Sequence, residues 1–248
     1  MIFAKVGKTV KEEVYGYVHS FEPVGTHDGP GLRTVVFLSG CPMRCKYCHN
    51  PDALAFGGGE RTSAEKVVER CLKDRAFTSG GGVTLSGGEP LAQGEFAKEI
   101  LRLLKRKRVH TALDTAGSVY DEEALTLAKL VILDIKHTDK DEFQKLCGHK
   151  IDNTLKTLEF LKRKKIPFWI RQVIVPNITD DSKNLKELAR LSLGAQKVEL
   201  LPYHTMGVHK WEKLNMPYPL SGVKAADKDL TERCNAELKE YINEFERA

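Results

Sequence analysis

No stretch of the chain approaches the roughly 18 uncharged apolar residues that a membrane-spanning helix requires. Its first residues, MIFAKVGKTVKEEVYG, hold no apolar run of signal-peptide length. Both absences lead to the expectation of a cytoplasmic protein with no membrane partner. The cysteines also lack a pattern: three of the six, Cys71, Cys147 and Cys234, have no other cysteine two to four residues away. That excludes a secreted disulfide scaffold and a structural zinc site made of two separated pairs. A phosphate-binding loop is missing too. Neither the glycines at 80–82 nor Ser86-Gly87-Gly88 lead into Gly-Lys-Ser/Thr, and no G-x-G-x-x-G sits at a strand-to-helix junction. Gly57-Gly58-Gly59 reads only as a flexible connection.

Charge is present in both signs, with a formal net of +5. The basic runs Lys105-Arg106-Lys107-Arg108 and Lys162-Arg163-Lys164-Lys165 resemble a nucleic-acid patch, but each follows an apolar helical pattern (FAKEILRLL and LKTLEFL) and precedes a strand-like segment. Cations in that place oppose the negative end of a helix dipole, so no nucleic-acid partner is expected. With 41% hydrophobic residues in 248, the chain can bury one sizeable core or two small ones.

Short apolar runs alternate with longer helical patterns, the mark of a parallel sheet with crossover helices. Six runs read as strands: 34–40, 82–87, 109–115, 130–136, 167–175 and 197–203. Thr62 and Glu65 have capping-box spacing, and Val67, Val68, Cys71 and Leu72 follow one helical face, which makes Cys71 a core residue. Six such units with no repeat to close a ring predict an α/β fold, a partial (βα)6 barrel over residues 17–248. An extension, residues 1–16, precedes it, with Lys5, Lys8 and Lys11 among apolar residues. The polar motifs all fall at the C-terminal ends of strands, where parallel α/β folds build their sites. Asp114 and Asp134 each end an apolar strand, so their carboxylates need a cation: Lys136, Arg171 or a metal ion.

What the sequence has in concentration is the run SGCPMRCKYCHNP, in which three and then two residues separate Cys41, Cys45 and Cys48. One short loop can bring three thiolates to one centre and leave a coordination position open. Thiolates are preferred iron-sulfur ligands, and a four-iron cluster held at three corners keeps one iron for a small molecule.

This spacing resembles the signature of radical S-adenosylmethionine (SAM) enzymes. GTHDGPGLR (25–33), CPMRCKYCHNP (41–51), GGGVTLSGGEP (80–90), LDTAG (113–117), LDIKH (133–137), WIRQVIVP (169–176) and ELLPYHTMGVHKW (199–211) together resemble the glycyl-radical-enzyme activases. The resemblance runs from about Tyr17 to the C-terminus. It implies one [4Fe-4S] cluster on Cys41, Cys45 and Cys48, since the chain lacks the extra cysteines of activases with a ferredoxin-like insert. It also implies SAM, with its amino group at Gly87, Gly88 and Glu89, its adenine bordered by Tyr47, Cys48 and His49, and further contacts from Asp134, Ile135, Lys136 and His204. Asp114, Thr115 and Asp134 are implied as ligands of a monovalent cation, and Asp28 as part of the substrate-loop entrance. The implied reaction needs no conventional acid or base. The implied partners are pyruvate formate-lyase as protein substrate and a flavodoxin-like reductant, with the activase a monomer. Two alternatives stay open from the residues: a radical SAM enzyme acting on another glycyl radical enzyme or a small molecule, and a zinc-binding interaction protein using the triplet with His49.

Overall fold

The computed structural model describes residues 12–73 and 75–247. The chain enters as β1 (Tyr15–Gly25) and β2 (Arg33–Leu38), crosses a long loop to the short β3 (Glu60–Ser63), and continues through α1 (Ala64–Lys73) and α2 (Arg75–Thr78). Strand and helix then alternate: β4 (Gly82–Gly87), α3 (Gly94–Arg106), β5 (Thr111–Thr115), α4 (Glu122–Leu127) and β6 (Leu130–Asp134). After α5 (Lys140–Cys147) and α6 (Asp152–Lys164) come β7 (Phe168–Ile174), α7 (Ser182–Ser192), β8 (Lys197–Pro202), α8 (Val208–Lys213) and α9 (Lys228–Arg247).

Among the described residues the strands form one sheet in the order β3-β1-β2-β4-β5-β6-β7-β8. Every neighbouring pair from β2 to β8 is parallel, and the outer strands β3 and β8 do not meet. The six predicted strands thus make the expected open, partial barrel. Their ends are shorter than expected at 34–40, 130–136 and 167–175, because the chain leaves the sheet at Leu38, Asp134 and Ile174.

Two strands were not expected. β1 runs antiparallel to β2 on one side and to β3 on the other. Of the predicted extension, residues 1–11 with Lys5, Lys8 and Lys11 lie outside the described residues, while Tyr15 and Gly16 belong to β1. The helix predicted to open at Thr62 starts two residues later. Thr62 pairs with Gly16 and is held extended, and the Ser63 hydroxyl accepts the Lys66 amide at 3.4 Å. Cys71 lies in the core as predicted.

Capping residues fix the helices above the sheet. Asp121, Asp139 and Asp181 each accept an amide from the first turn of α4, α5 and α7. The basic runs straddle the C-terminal ends of α3 and α6, with Lys105 and Arg106 in the last turn of one and Lys162, Arg163 and Lys164 in that of the other, as their placement predicts. α3 buries Phe96, Ala97, Ile100, Leu101 and Leu104 on one face. These join Val131, Leu133 and Leu113 in the main core between sheet and helices. No helix among the described residues is long and apolar enough to cross a membrane.

Candidate active site

Strand side chains alternate between the two faces of the sheet. If Leu113, Val131 and Leu133 face the helices, then Ala112 and Asp114, Leu130, Ile132 and Asp134, and Trp169 and Arg171 face the barrel interior. Ala112, Leu130, Ile132 and Trp169 form a small separate core there. The next inward positions toward the strand ends are polar: Ser86, Asp114, Asp134 and Arg171 line a cavity of about 270 Å³ together with Phe37, Val173 and Leu201. The parity that builds the core therefore also aims these groups at one space.

The loop after β2 closes the cavity. Gly40 and Cys41 donate their amides to the carbonyls of Ala53 and Leu54 at 2.8 and 3.2 Å. The Arg44 guanidinium donates to the carbonyls of Cys41 and Met43, both at 2.7 Å. From α8, the Trp211 indole donates to the Cys48 carbonyl at 2.9 Å. These bonds leave Cys41, Cys45 and Cys48 as free cysteines lining the cavity. Burial pushes the Cys41 thiol up to about 12 and the Cys48 thiol to about 11. The neighbouring Cys147 thiol, together with burial, also raises Cys45. Among the described residues, no three His, Cys, Asp or Glu side chains converge as a single-ion site would require.

The turn after β4 is joined to that loop. Gly88 donates to the Leu38 carbonyl at 2.7 Å, and Glu89 to that of Gly40 at 2.9 Å. A Cβ on Gly88 would stand 2.4 Å from the Gly40 oxygen, and one on Gly87, at φ 119°, 2.3 Å from the Leu38 nitrogen. The two glycines are required because backbone lies on backbone. Gly87 and Gly88 reach the cavity, whereas the Glu89 side chain is turned into the protein. It accepts Thr115 Oγ1 at 2.6 Å, Ser118 Oγ at 3.1 Å and the Leu91 amide at 3.1 Å. Burial raises its pKa, and these bonds oppose the rise.

Asp114 and Asp134 take different cations. Asp114 Oδ2 lies 3.5 Å from Arg171 Nη1 and accepts Ser86 Oγ at 2.9 Å. Asp134 Oδ2 accepts from Lys136 Nζ at 2.5 Å. Burial works against the Lys136 ammonium, but Asp134, Tyr47 and Cys45 hold its pKa well above the ordinary value. Arg171 also ties the strand ends to the N-terminal loop, donating to the His27 carbonyl at 2.5 Å and to Glu199 at 3.0 Å. Since Asp134 and Lys136 are each only 15% exposed, replacing Lys136 by Met is expected to cost about 3–5 kcal/mol by leaving a buried carboxylate unpaired. Urea unfolding should show much of that loss restored in Lys136→Met/Asp134→Leu.

Of the predicted residues, the cavity gathers Cys41, Cys45, Tyr47, Cys48, His49, Gly87, Gly88, Asp114, Thr115, Asp134 and Lys136, with Asp28 beside them. Three others stand back from its lining. Glu89 is turned inward, Ile135 is fully buried in the main core, and His204 stacks on His49 with ring centroids 4.1 Å apart. Sequence reading missed Ser86, Arg44 and Ser118. The first could have been found by parity, since it follows the core residue Leu85 by one and so falls on the inward face, level with Asp114.

Residues 35–189 match the Radical SAM superfamily. The pyruvate formate-lyase-activating enzyme of Clostridium pasteurianum is 46% identical over 239 residues, covering 92% of this chain and 99% of the relative. The pyruvate formate-lyase 1-activating enzyme of Escherichia coli K12 is 42% identical over 238 residues, covering 92% and 97%. This chain belongs to the pyruvate formate-lyase-activating family of radical SAM enzymes. The fold agrees: Streptococcus suis SuiB, in a crystal structure with its precursor peptide SuiA, superposes with a TM-score of 0.67 at 17% identity, covering 86% of this chain and 46% of that one.

Radical SAM enzymes work with a [4Fe-4S] cluster and SAM, and the residues of this activase-family chain fit both. Three free thiols share one cavity. Around it, Asp134 Oδ1, the Tyr47 hydroxyl and His204 Nδ1 are buried with no hydrogen-bond partner. Polar groups are rarely buried so without a ligand to meet them.

Proposed function

We propose that this enzyme activates pyruvate formate-lyase by installing a glycyl radical on it. The observation that carries the reading is the placement of three free thiols, the Gly87-Gly88 turn and the Asp134–Lys136 pair around one cavity. The nearly full-length match to activases supports the substrate. The chemistry supplied by the bound cluster with SAM is a one-electron reductive cleavage to a 5′-deoxyadenosyl radical, which takes a glycine Cα hydrogen.

The chain's own work is ligation, orientation and exclusion of water. Cys41, Cys45 and Cys48 hold the cluster by thiolate bonds, and each must give up a proton that burial otherwise retains. Gly87, Gly88 and Glu89 receive the SAM amino group. The Glu89 carboxylate, turned inward to Thr115, Ser118 and Leu91, holds the turn in place for that contact. Tyr47, Cys48 and His49 border the adenine, with His204 behind the His49 ring. Lys136 offers its ammonium to the SAM carboxylate, and Ile135 fixes the backbone between Asp134 and Lys136 by donating to the Arg171 carbonyl at 2.9 Å and accepting from Gln172 at 2.9 Å. Asp114, Thr115 and Asp134 take a monovalent cation, for which the unpartnered Asp134 Oδ1 is a ready ligand. No side chain serves as general acid or base. By the same resemblance, electrons come from a flavodoxin-like donor, and the activase works as a cytoplasmic monomer.

The test is anaerobic electron paramagnetic resonance of the reconstituted protein with SAM, reductant and pyruvate formate-lyase. A glycyl radical doublet that depends on this chain is expected. Accumulation of 5′-deoxyadenosine with no doublet would move the activity to another glycyl radical enzyme or a small molecule.

A further inference from the structure

Three consecutive residues of the cluster loop are each held by one short segment, the turn after β8 and the helix α8. The Cys48 carbonyl accepts the Trp211 indole at 2.9 Å. The His49 ring donates from Nε2 to the His204 carbonyl at 3.2 Å and stacks on the His204 ring. The Asn50 side-chain oxygen accepts from Lys210 Nζ at 2.8 Å. The His49 backbone also lies against Gly207, where a Cβ would stand 2.9 Å from the His49 Cα and 3.2 Å from its carbonyl oxygen. Trp211 is itself buried, with its ring centroid 5.7 Å from that of Tyr218 and its carbonyl accepting the Met216 amide.

Cys48, His49 and Asn50 line the cavity, and the residues that grip them stand behind that lining. The grip does not touch the sulfur. The Cys48 amide closes a turn on the Cys45 carbonyl at 3.1 Å, so the third thiol keeps its place in the loop without help from α8. What α8 sets is the course of the backbone after that thiol. A peptide unit is planar and rigid, so a carbonyl engaged by the Trp211 indole fixes the orientation of the whole link between Cys48 and His49.

We infer that Trp211 and Gly207 are positioning residues for the adenine half of SAM: they set the Cys48–His49 backbone against which that base rests, and leave assembly of the cluster to the loop itself. The inference rests on the proposed placement of adenine beside Tyr47, Cys48 and His49. It divides the loop between two supports, the Gly88 turn at the Cys41 end and α8 at the Cys48 end.

Anaerobic isothermal titration calorimetry of the oxidised, reconstituted protein, which binds SAM without cleaving it, tests this, with iron and sulfide assays and thermal unfolding on each sample. Trp211→Phe keeps a ring beside Tyr218 and removes the donor. Its dissociation constant for SAM should rise roughly fivefold, the equivalent of about 1 kcal/mol for one neutral hydrogen bond, at full iron content. Gly207→Ala removes no bond. Gly207 already has helical φ −80° and ψ −9°, so alanine suits its backbone, and only His49 has to give way. This variant should weaken SAM at least as much with no fall in melting temperature. Methionine, which has no adenine, should bind all three proteins alike. Unchanged SAM affinity in both variants would overturn the inference and leave α8 as packing. An equal loss for methionine, or a loss of iron, would overturn it by placing the effect at the cluster. A wild type that takes up no iron or binds no SAM would instead sink the reading of the site itself. If Trp211→Phe does not fold, Gly207→Ala makes the same comparison alone.

Discussion

Replacing Cys41 or Cys48 by alanine is expected to abolish reductive cleavage of SAM, with 5′-deoxyadenosine formation, followed by liquid chromatography under dithionite, falling to background. Each supplies one of three corners, and neither has a second thiol beside it to take over. Cys45 is different in one respect. No other cysteine lies within a few residues of the three in sequence, but Cys147 packs in the same buried cluster as Cys45. Cys45→Ala should still lose turnover, because Cys147 sits on another element and its backbone is pinned by Arg44. The double form Cys45→Ala/Cys147→Val removes the adjacent thiol and should be equally inactive. Cys71→Ala is the matched control. It lies in the helix-side core at 1% exposure, so it should cost roughly 1 kcal/mol of stability and keep its full iron. Turnover retained in Cys41→Ala or Cys48→Ala, or iron lost in Cys71→Ala, would mean that the ligand set is misassigned.

The residues that could be read in advance are those whose role is set by local pattern. Continuous apolar runs such as LVILD mark strands buried on both faces, and the polar residue that ends each one marks the rim. The cysteine spacing and the cationic helix ends are equally local. β1 and β3 escaped because their signals are weak. YGYVHSFEPVG mixes His, Ser, Glu and Pro into an edge ribbon, and ERTS contains no apolar residue at all, so its extended form comes from pairing with β1 rather than from its own composition. The same pairing moved the start of α1 past Thr62. Contacts between distant segments were beyond reach for another reason. Cys147 packs with Cys45 across about a hundred residues, and Asp114 on β5 meets Arg171 on β7, two strands away, while Lys136 folds back on Asp134 at its own strand end. Glu89 shows the limit most clearly. Its place in the Gly-Gly-Glu turn was legible, but the inward rotation of its carboxylate depends on Thr115, which ends β5, and on Ser118 in the loop that follows.

That turn also carries the largest expected effect outside the cysteines. Gly88→Ala puts a methyl 2.4 Å from the Gly40 carbonyl oxygen and 3.1 Å from that of Ala53. Both are backbone atoms, so no side-chain rotation relieves the overlap. The turn and the cluster loop must separate, which breaks the Gly88–Leu38 and Glu89–Gly40 bonds that join them. Each of these bonds contributes roughly 1 kcal/mol, and the steric shift adds about 1–3 kcal/mol, so a loss of about 3–5 kcal/mol in urea unfolding is expected. The functional loss should exceed the loss of stability. Gly40 immediately precedes Cys41, so displacing it moves the first ligand relative to the other two, and a cluster has fixed corners. Gly88→Ala should therefore be folded at low temperature yet hold substoichiometric iron after reconstitution. Full iron with SAM binding weakened would instead separate the two roles of the turn, leaving the cluster loop held by Arg44 and Trp211 and reserving Gly88 for the ligand.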